Sequence, residues 1–263
     1  MPELPEVETV RRVLVERLAG LRVSGVWVPR VTFYRKPPLS AVRGLEGSVL
    51  EGARRRGKYF ILQFSGGREL TGHLGMSGRL FLAAASDPLQ KHERFRMDFG
   101  EQSVRFVDPR RFGRIGCELP EFGPEPLSAD FDGAHLAREF KGRRAAVKAL
   151  LLDQAVVAGV GNIYATEALY RAGVRPARAA RSLKADERER LAAGVKAVLE
   201  AGIAAGGSTL DDEAFLDPLG RPGRAHLTLA VYGRTECPKG HTLAKTRKPL
   251  AGRTSWYCPA CQK

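Results

Sequence analysis

The segment 237–263 carries the pattern that most constrains how this chain can fold. Cys237 and His241 form one close pair of residues, and Cys258 and Cys261 form a second pair about one hairpin's length further along the chain. In a cytosolic protein such a cluster indicates a bound metal rather than disulfides. Segments 243–247 and 253–257 can form two strands around a turn at 249–252. So short a segment cannot bury a core alone, so a metal would supply much of its folding energy. The alternative is unrelated thiols beside a surface histidine. We predict one structural Zn²⁺ held by Cys237, His241, Cys258 and Cys261.

The charge balance of the chain points to a polyanionic partner. It has 43 Lys and Arg against 29 Asp and Glu, a net charge of +14. Such an excess is typical of nucleic-acid binding, and the alternative is an Arg-rich composition with solvated charged faces. The sequence has no apolar run long enough to predict a membrane span, and its acidic start is unlike a signal peptide. We therefore expect a cytoplasmic protein. Cys117 stands apart and is expected to be a small buried hydrophobe.

The periodicity of apolar residues predicts an α+β chain with several domains. One helix is expected over 3–19, because its apolar residues recur at steps of three and four. Short β-type runs between Gly-rich turns then predict an antiparallel sandwich. Such runs extend from residue 21 to about residue 119, and examples are Leu21–Val28, Lys58–Phe64, Arg79–Leu82, Arg94–Phe99 and Ser103–Val107.

The second half of the chain is expected to be helical. Three prolines and several acidic residues between 120 and 133 indicate a linker. Helices are predicted over 134–141, 143–153, 162–172, 185–204 and 211–216. The expected domains are a β-sandwich over 1–119, a helical domain over 134–236 and a metal-bound tail over 237–263.

A glycine-rich turn precedes one of the predicted helices. Gly159-Val160-Gly161 stands directly before a helix that begins near Asn162. Free backbone N–H groups at a helix start bind phosphate, and glycine allows close approach. Tight helix packing explains the same glycines equally well.

The N-terminus holds a candidate nucleophile. Removal of Met1 would leave Pro2 with a secondary amine, which can add to a sugar aldehyde carbon and form an iminium. Glu3 would be placed to shuttle protons. From the residues alone, however, a Met-Pro N-terminus usually has no catalytic role.

Several motifs in order along the chain resemble the formamidopyrimidine-DNA glycosylase family. They are MPELPEVETVRR at 1–12, ARRRGKY at 53–59, HLGMSGRL at 73–80, DPRRFG at 108–113, LLDQAVVAGVGNIYATEAL at 151–169, GRPG at 220–223 and VYGR at 231–234, followed by the terminal finger. The resemblance implies an antiparallel β-sandwich with an N-terminal helix, a helix–two-turn–helix domain and a β-hairpin zinc finger. It also implies a monomer that acts on damaged double-stranded DNA.

The resemblance implies an activity and a set of catalytic residues. The activity is removal of oxidised purines, chiefly 8-oxoguanine and formamidopyrimidines, followed by strand cleavage through β- and δ-elimination. Pro2 matches the Schiff-base nucleophile, Glu3 the catalytic acid and Glu6 a supporting carboxylate. Lys58 matches the lysine linked to β-elimination, and Arg253 the phosphate-binding arginine that aids δ-elimination.

The same resemblance assigns a DNA-binding set. Met76, Arg110 and Phe112 match a wedge that fills the space left when the damaged nucleotide is flipped out. Without the resemblance, core packing is the better interpretation of Met76 and Phe112. The whole set is His73, Met76, His92, Arg110, Phe112, Arg143, Lys148, Asn162, Arg221 and Tyr232.

The chain departs from the family pattern at two places. Most members carry four cysteines in the finger, whereas here Gly240 takes the second cysteine position and His241 follows it. Arg221 stands where members often have Lys, in a loop implicated in holding the flipped base, so substrate preference could differ.

Two other functions remain as alternatives. One is an endonuclease VIII-like glycosylase for oxidised pyrimidines, whose members typically begin with PEGPE and lack the wedge motifs. Leu4, Met76 and Phe112 favour the purine branch. The other is a zinc protein that binds lesions without catalysis, against which Pro2, Glu3 and Lys58 argue.

Overall fold

The computed structural model describes residues 2–116, 118–210 and 215–263. The chain divides into two compact units, Met1–Pro120 with Ile203–His226, and Glu121–Gly202 with Leu227–Lys263. The domain boundaries expected from the sequence, 1–119, 134–236 and 237–263, remain predictions. Cys117 and part of the predicted 211–216 helix lie outside the described residues.

The first unit is built on two antiparallel sheets and a long N-terminal helix. Helix α1 spans Leu4–Leu18 and α2 spans Leu39–Arg43. The strands are β1 (Gly25–Trp27), β2 (Leu50–Arg56), β3 (Tyr59–Phe64), β4 (Arg68–His73), β5 (Arg79–Ala84), β6 (Glu93–Phe99), β7 (Gln102–Val107) and β8 (Arg114–Ile115). The two sheets have the orders β1-β6-β7-β5 and β2-β3-β4-β8.

One apolar core joins the two sheets and α1. Phe60 and Leu62 from β3 lie in the same buried cluster as Phe95 and Met97 from β6. The alternation of buried and half-buried residues along β6 confirms the period-2 pattern predicted there. The sequence did not indicate β2, because this Arg-rich strand is mostly half-buried or exposed and has no apolar alternation.

The second unit holds the remaining helices and the C-terminal hairpin. Its helices are α3 (Gly133–Phe140), α4 (Val147–Leu152), α5 (Asn162–Ala172) and α6 (Ala185–Ala204), whose last two residues belong to the first unit. The hairpin pairs β9 (Ala244–Lys245) with β10 (Trp256–Tyr257), shorter strands than predicted. Helix α4 begins later than the predicted residue 143, because Ala146 is extended and bridges to Ala179. No helix among the described residues is long and apolar enough to cross a membrane.

Candidate functional site

The start of α1 is fixed by a carboxylate that uses both of its oxygens. Glu6 Oε2 accepts a 2.8 Å hydrogen bond from the backbone N–H of Glu3, and Oε1 accepts a 2.7 Å bond from that of Ser208. Pro2, Glu3 and Glu6 are all buried. Because a buried carboxylate is costly unless it is hydrogen-bonded, these contacts specify where the predicted nucleophile and acid lie.

Lys58 directly precedes β3, near a second predicted site residue, His73 on β4. The Lys58 side chain is buried, and Tyr59 pairs with His73 across the two strands, with their ring centroids 4.6 Å apart. Burial, followed by the positive charges of Lys58 and Arg114, lowers the pKa of His73 to about 4. His73 is therefore neutral at pH 7.

The tautomer of this neutral histidine follows from its hydrogen bond. Its Nδ1 accepts a 3.0 Å bond from the backbone N–H of Gly75. An Nδ1 that accepts must be the unprotonated nitrogen, so Nε2 carries the proton and is the available donor. The side chain can thus donate to a phosphate without adding a positive charge.

An ion-pair network that the sequence did not single out supports the turn before Lys58. Arg55 donates from Nη1 to the carbonyl of Gly57 at 2.9 Å and lies 3.4 Å from the carboxylate of Glu8 on α1. Burial would raise the pKa of the Glu8 carboxyl, but hydrogen bonds from Arg11 and Arg12 outweigh it and hold that pKa below its usual value. The network ties α1 to the strand that leads to Lys58.

The two apolar side chains of the predicted wedge, Phe112 and Met76, differ in exposure. Phe112 is 46% exposed, which rules out core packing, whereas Met76 is half-buried. The guanidinium of Arg110 lies 5.2 Å from the centroid of the Phe112 ring, within cation–π distance.

Asp108 shapes the loop that carries this wedge and was not predicted. Its fully buried carboxylate accepts hydrogen bonds from the backbone N–H of Gly113 at 2.7 Å and of Arg110 at 3.2 Å. It also accepts one from the hydroxyl of Ser77, the residue after Met76, at 2.7 Å. The Asp-Pro pair in DPRRFG is a turn signal that could have indicated this role.

His92 and Arg221 are held by local contacts at the surface of the first unit. His92 has a positive φ of 67°, and its carbonyl accepts from the N–H of Asp108 at 3.0 Å. Arg221 is exposed, and its Nε donates to Asp217 Oδ2 at 2.6 Å. Asp217 therefore orients the side chain of Arg221, at the position where family members often have lysine.

The glycine turn of the second unit has the predicted form. Gly159 has φ +80°, and α5 begins at Asn162. Gln154 braces the turn, accepting from the N–H of Gly159 at 2.8 Å and donating to the carbonyl of Val160 at 3.0 Å. Asn162 Oδ1 is buried without a hydrogen-bond partner in the described chain, so this amide has capacity for a ligand.

Lys148, which was predicted to contact the DNA backbone, lies on α4. Its side chain is fully buried, and Nζ donates to the hydroxyl of Thr166 at 2.7 Å and to the carbonyl of Thr254 at 3.4 Å. A buried ammonium with protein partners holds the residue after Arg253 against α5. This placement favours positioning of Arg253 over a direct contact.

Three further predicted residues lie in the second unit. Arg143 is exposed and pairs with Glu139 at 3.2 Å, and Arg253 is half-buried in the hairpin turn. Tyr232 packs on Trp256 with ring centroids 4.7 Å apart. The carboxylate of Glu167, which was not predicted, accepts from three successive backbone N–H groups, the last that of Tyr232 at 2.7 Å.

The four predicted metal ligands come together. All four ligand atoms lie within 4.8 Å of one another. His241 Nδ1 lies 3.6, 3.7 and 3.3 Å from the Sγ atoms of Cys237, Cys258 and Cys261. Tetrahedral zinc with ordinary bond lengths requires a separation of about 3.6 Å, so the donor set fits Zn²⁺ with Nδ1 as the ligating nitrogen.

A tight turn accounts for the shift from the cysteine position to His241. Gly240 has φ +75°, and its N–H donates to the carbonyl of Cys237 at 2.8 Å. Glycine adopts this conformation without strain. Tyr170 adds a hydrogen bond to Cys237, and burial raises the pKa of its hydroxyl, which keeps it a donor to the thiolate.

Comparison with known proteins identifies the family. The formamidopyrimidine-DNA glycosylase N-terminal domain matches residues 1–115, and the H2TH domain of the same family matches residues 122–214. Formamidopyrimidine-DNA glycosylase from Halorhodospira halophila is 46% identical over 274 aligned residues, which cover all of both chains. The enzyme of the same name from Laribacter hongkongensis is 45% identical, again over all of both chains.

Solved structures agree with this relationship. The MutM (Fpg) protein from Thermus thermophilus has a TM-score of 0.88 at 39% identity, covering 99% of this chain and 98% of that one. Lactococcus lactis Fpg in complex with Fapy-dG-containing DNA has a TM-score of 0.88 at 32% identity, covering 99% and 100%. The chain belongs to the formamidopyrimidine-DNA glycosylase family and is a DNA-repair glycosylase.

Proposed function

We propose that the protein removes oxidised purines, 8-oxoguanine and formamidopyrimidines, from double-stranded DNA and then cleaves the strand by β,δ-elimination. The observation that carries this proposal is the anchored start of α1, where Glu6 holds Glu3 and places Pro2 in a buried setting. Relatives solved with Fapy-dG-containing and abasic-site DNA support the substrate class. The protein would act as a monomer in the cytoplasm.

The chemistry begins with the amine of Pro2 once Met1 is removed. With the nucleotide flipped out of the duplex, the nitrogen attacks the sugar C1′, and the glycosidic bond breaks as the base leaves with a proton. The sugar ring opens to an iminium between Pro2 and C1′. Glu3 supplies and accepts the protons of these steps.

Elimination follows from the electron-withdrawing iminium. Loss of a proton from C2′ sends its electron pair to C3′, and the 3′ C–O bond breaks to release a phosphate. A second elimination, in which C4′ loses a proton, then breaks the 5′ C–O bond and releases the second phosphate. Lys58 would hold the phosphate beside the sugar, and Arg253 would bind the phosphate that leaves in the second step.

Backbone phosphates would be bound by different means in the two units. The neutral His73 donates from Nε2 in the first unit, and His92 would contact the backbone there. In the second unit Asn162 binds at the start of α5, where the helix dipole favours an anion. Arg143 and Tyr232 would add contacts, and Lys148 would position Arg253.

Met76, Arg110 and Phe112 would replace the stacking and pairing lost on flipping. An apolar side chain inserted between bases offsets part of the unstacking cost, and Arg110 can donate to the cytosine left without a partner. Arg221 would contribute to the loop that holds the extruded base.

The zinc site would be structural. Cys237, His241, Cys258 and Cys261 would hold Zn²⁺, which cross-links a segment too short to fold alone. No ligand position is left for water, so the ion would take no part in the reaction. The hairpin it stabilises carries Arg253.

Borohydride trapping across a lesion panel tests this function. Reduction of the Pro2 iminium should leave protein covalently attached to DNA containing 8-oxoguanine opposite cytosine, formamidopyrimidine or an abasic site. No adduct on abasic-site DNA would defeat the enzymatic proposal in favour of lesion binding alone. Stronger trapping on thymine glycol than on 8-oxoguanine would assign the protein to pyrimidine repair instead.

A further inference from the structure

Two exposed aromatic rings lie side by side on the first unit. Tyr34 is 67% exposed and Phe112 is 46% exposed. Their ring centroids are 5.8 Å apart with the planes tilted by 42°. Exposed aromatic rings that touch form an apolar surface, which in a soluble protein indicates a binding site more often than a single exposed ring does.

A guanidinium group lies within cation–π distance of each ring. Arg111 lies 4.7 Å from the centroid of Tyr34, and Arg110 lies 5.2 Å from that of Phe112. The cluster formed by Tyr34, Arg110, Arg111 and Phe112 therefore alternates rings with cations. Such interleaving suits a nucleic acid, because bases stack on the rings while the guanidinium groups donate to phosphates or to base edges.

The Tyr34 ring is held in place by contacts between two loops. The backbone N–H of Tyr34 donates to the carbonyl of Arg111 at 3.1 Å, and Arg111 Nε donates to the carbonyl of Thr32 at 2.6 Å. Thr32 in turn donates to the carbonyl of Arg94 on β6 at 2.8 Å. The loop of Tyr34 is thus bonded both to the wedge loop and to a sheet strand.

We propose that Tyr34 extends the wedge and stacks on a base of the undamaged strand at or next to the position opposite the lesion. The inference rests on the proposed function, in which Phe112 enters the duplex. A ring 5.8 Å from Phe112 is too close to serve another binding partner while Phe112 is inserted. Tyr34 would therefore help to determine which opposite base is accepted.

The test is a binding cycle between Tyr34 and individual bases. Every duplex carries a tetrahydrofuran abasic analogue in one strand, which cannot be cleaved through an iminium. The undamaged strand is either complete or lacks a single base. The missing base is the opposite one or either neighbour. Tyr34→Ala should raise Kd about five- to tenfold on the complete strand and have little further effect on the strand that lacks the contacted base.

Three further variants keep the result specific. Tyr34→Phe retains a stacking ring and should restore affinity, whereas Tyr34→Leu retains only bulk and should not. Leu39→Ala, which removes another exposed apolar side chain of the same unit, should bind every duplex as the wild type does. Circular dichroism would verify that all four are folded.

The proposal is overturned if Tyr34→Ala loses the same affinity on every duplex, because a structural role or a protein partner would not depend on one base. It is equally overturned if Tyr34→Ala binds the complete strand normally. Trapping of the wild type on abasic-site DNA separates these results from failure of the proposed function, because the covalent adduct forms at Pro2 whether or not Tyr34 contacts a base.

Discussion

The carboxylate of Glu6 joins two parts of the chain that lie 202 residues apart, accepting a 2.7 Å hydrogen bond from the backbone N–H of Ser208 while its other oxygen holds Glu3. The first turn of α1 is therefore fixed by tertiary structure as well as by its own sequence.

Glu6→Gln tests that relationship. An amide has one acceptor oxygen, so its NH₂ would face one of the two backbone donors and leave it unpaired. We expect a loss of about 1–3 kcal/mol in the free energy of unfolding, measured by urea titration. Glu16→Gln on the exposed face of α1 is the control and should change stability little. Equal stability of both variants would contradict the dual role of Glu6.

Pro2→Gly should separate binding from chemistry. The substitution replaces the secondary amine and leaves the basic surface intact, so DNA affinity should persist while most strand cleavage is lost. Affinity for an abasic analogue and single-turnover cleavage would be measured side by side. A loss of affinity as large as the loss of rate would show that Pro2 serves binding instead.

His73 predicts a specific pH dependence of stability. Its pKa is about 4 in the folded chain against an ordinary value of 6.5, so the unfolded state binds more protons between these values. The free energy of unfolding should therefore fall as pH drops from 6.5 towards 4, by at most about 3 kcal/mol from this group. His73→Gln should lack this contribution when urea titrations at pH 7 and pH 4.5 are compared. An identical pH slope in the variant would refute the lowered pKa.

The same pKa can be followed directly by nuclear magnetic resonance. The His73 imidazole of the wild type should titrate near pH 4. Lys58→Met removes a neighbouring positive charge and should raise that pKa, and Arg114→Met should do so for the same reason. No change in either variant would mean that burial alone is responsible.

His241→Ala should reduce zinc content and destabilise the finger. Three thiolates would remain, and the open position would admit water and chelator. Metal analysis after dialysis against a chelator should find about one zinc per chain in the wild type and less in the variant. Lys239→Ala, in the same turn, should keep its zinc. Unchanged zinc and thermal stability in His241→Ala would remove His241 from the ligand set.

Arg253→Ala should weaken phosphate binding and slow the second elimination more than the first. The expected products shift from δ- to β-eliminated ends, resolved by gel electrophoresis, with a smaller salt dependence of Kd because one phosphate contact is gone. Normal end products at normal affinity would exclude Arg253 from both roles.

Much of the local structure could be predicted from the residues themselves. Helix α5 begins at Asn162 as expected, because a glycine turn precedes it and an apolar periodicity follows. Strand β6 was identified because its alternation is complete, whereas β2 was missed because arginines replace that pattern. The cluster of Cys237, His241, Cys258 and Cys261 was identifiable because its spacing along the chain matches that of a tetrahedral metal site.

The sequence by itself determined the family motifs, the ligand spacing and the main helices and strands, all of which depend on residues near one another in the chain. Only the tertiary structure decided that Phe112 is exposed, that Lys148 is buried against Thr166, and that His73 is neutral. The exposure, hydrogen-bond partners and pKa of a side chain depend on neighbours from distant segments of the chain. The periodicity of apolar residues along the sequence does not predict those neighbours.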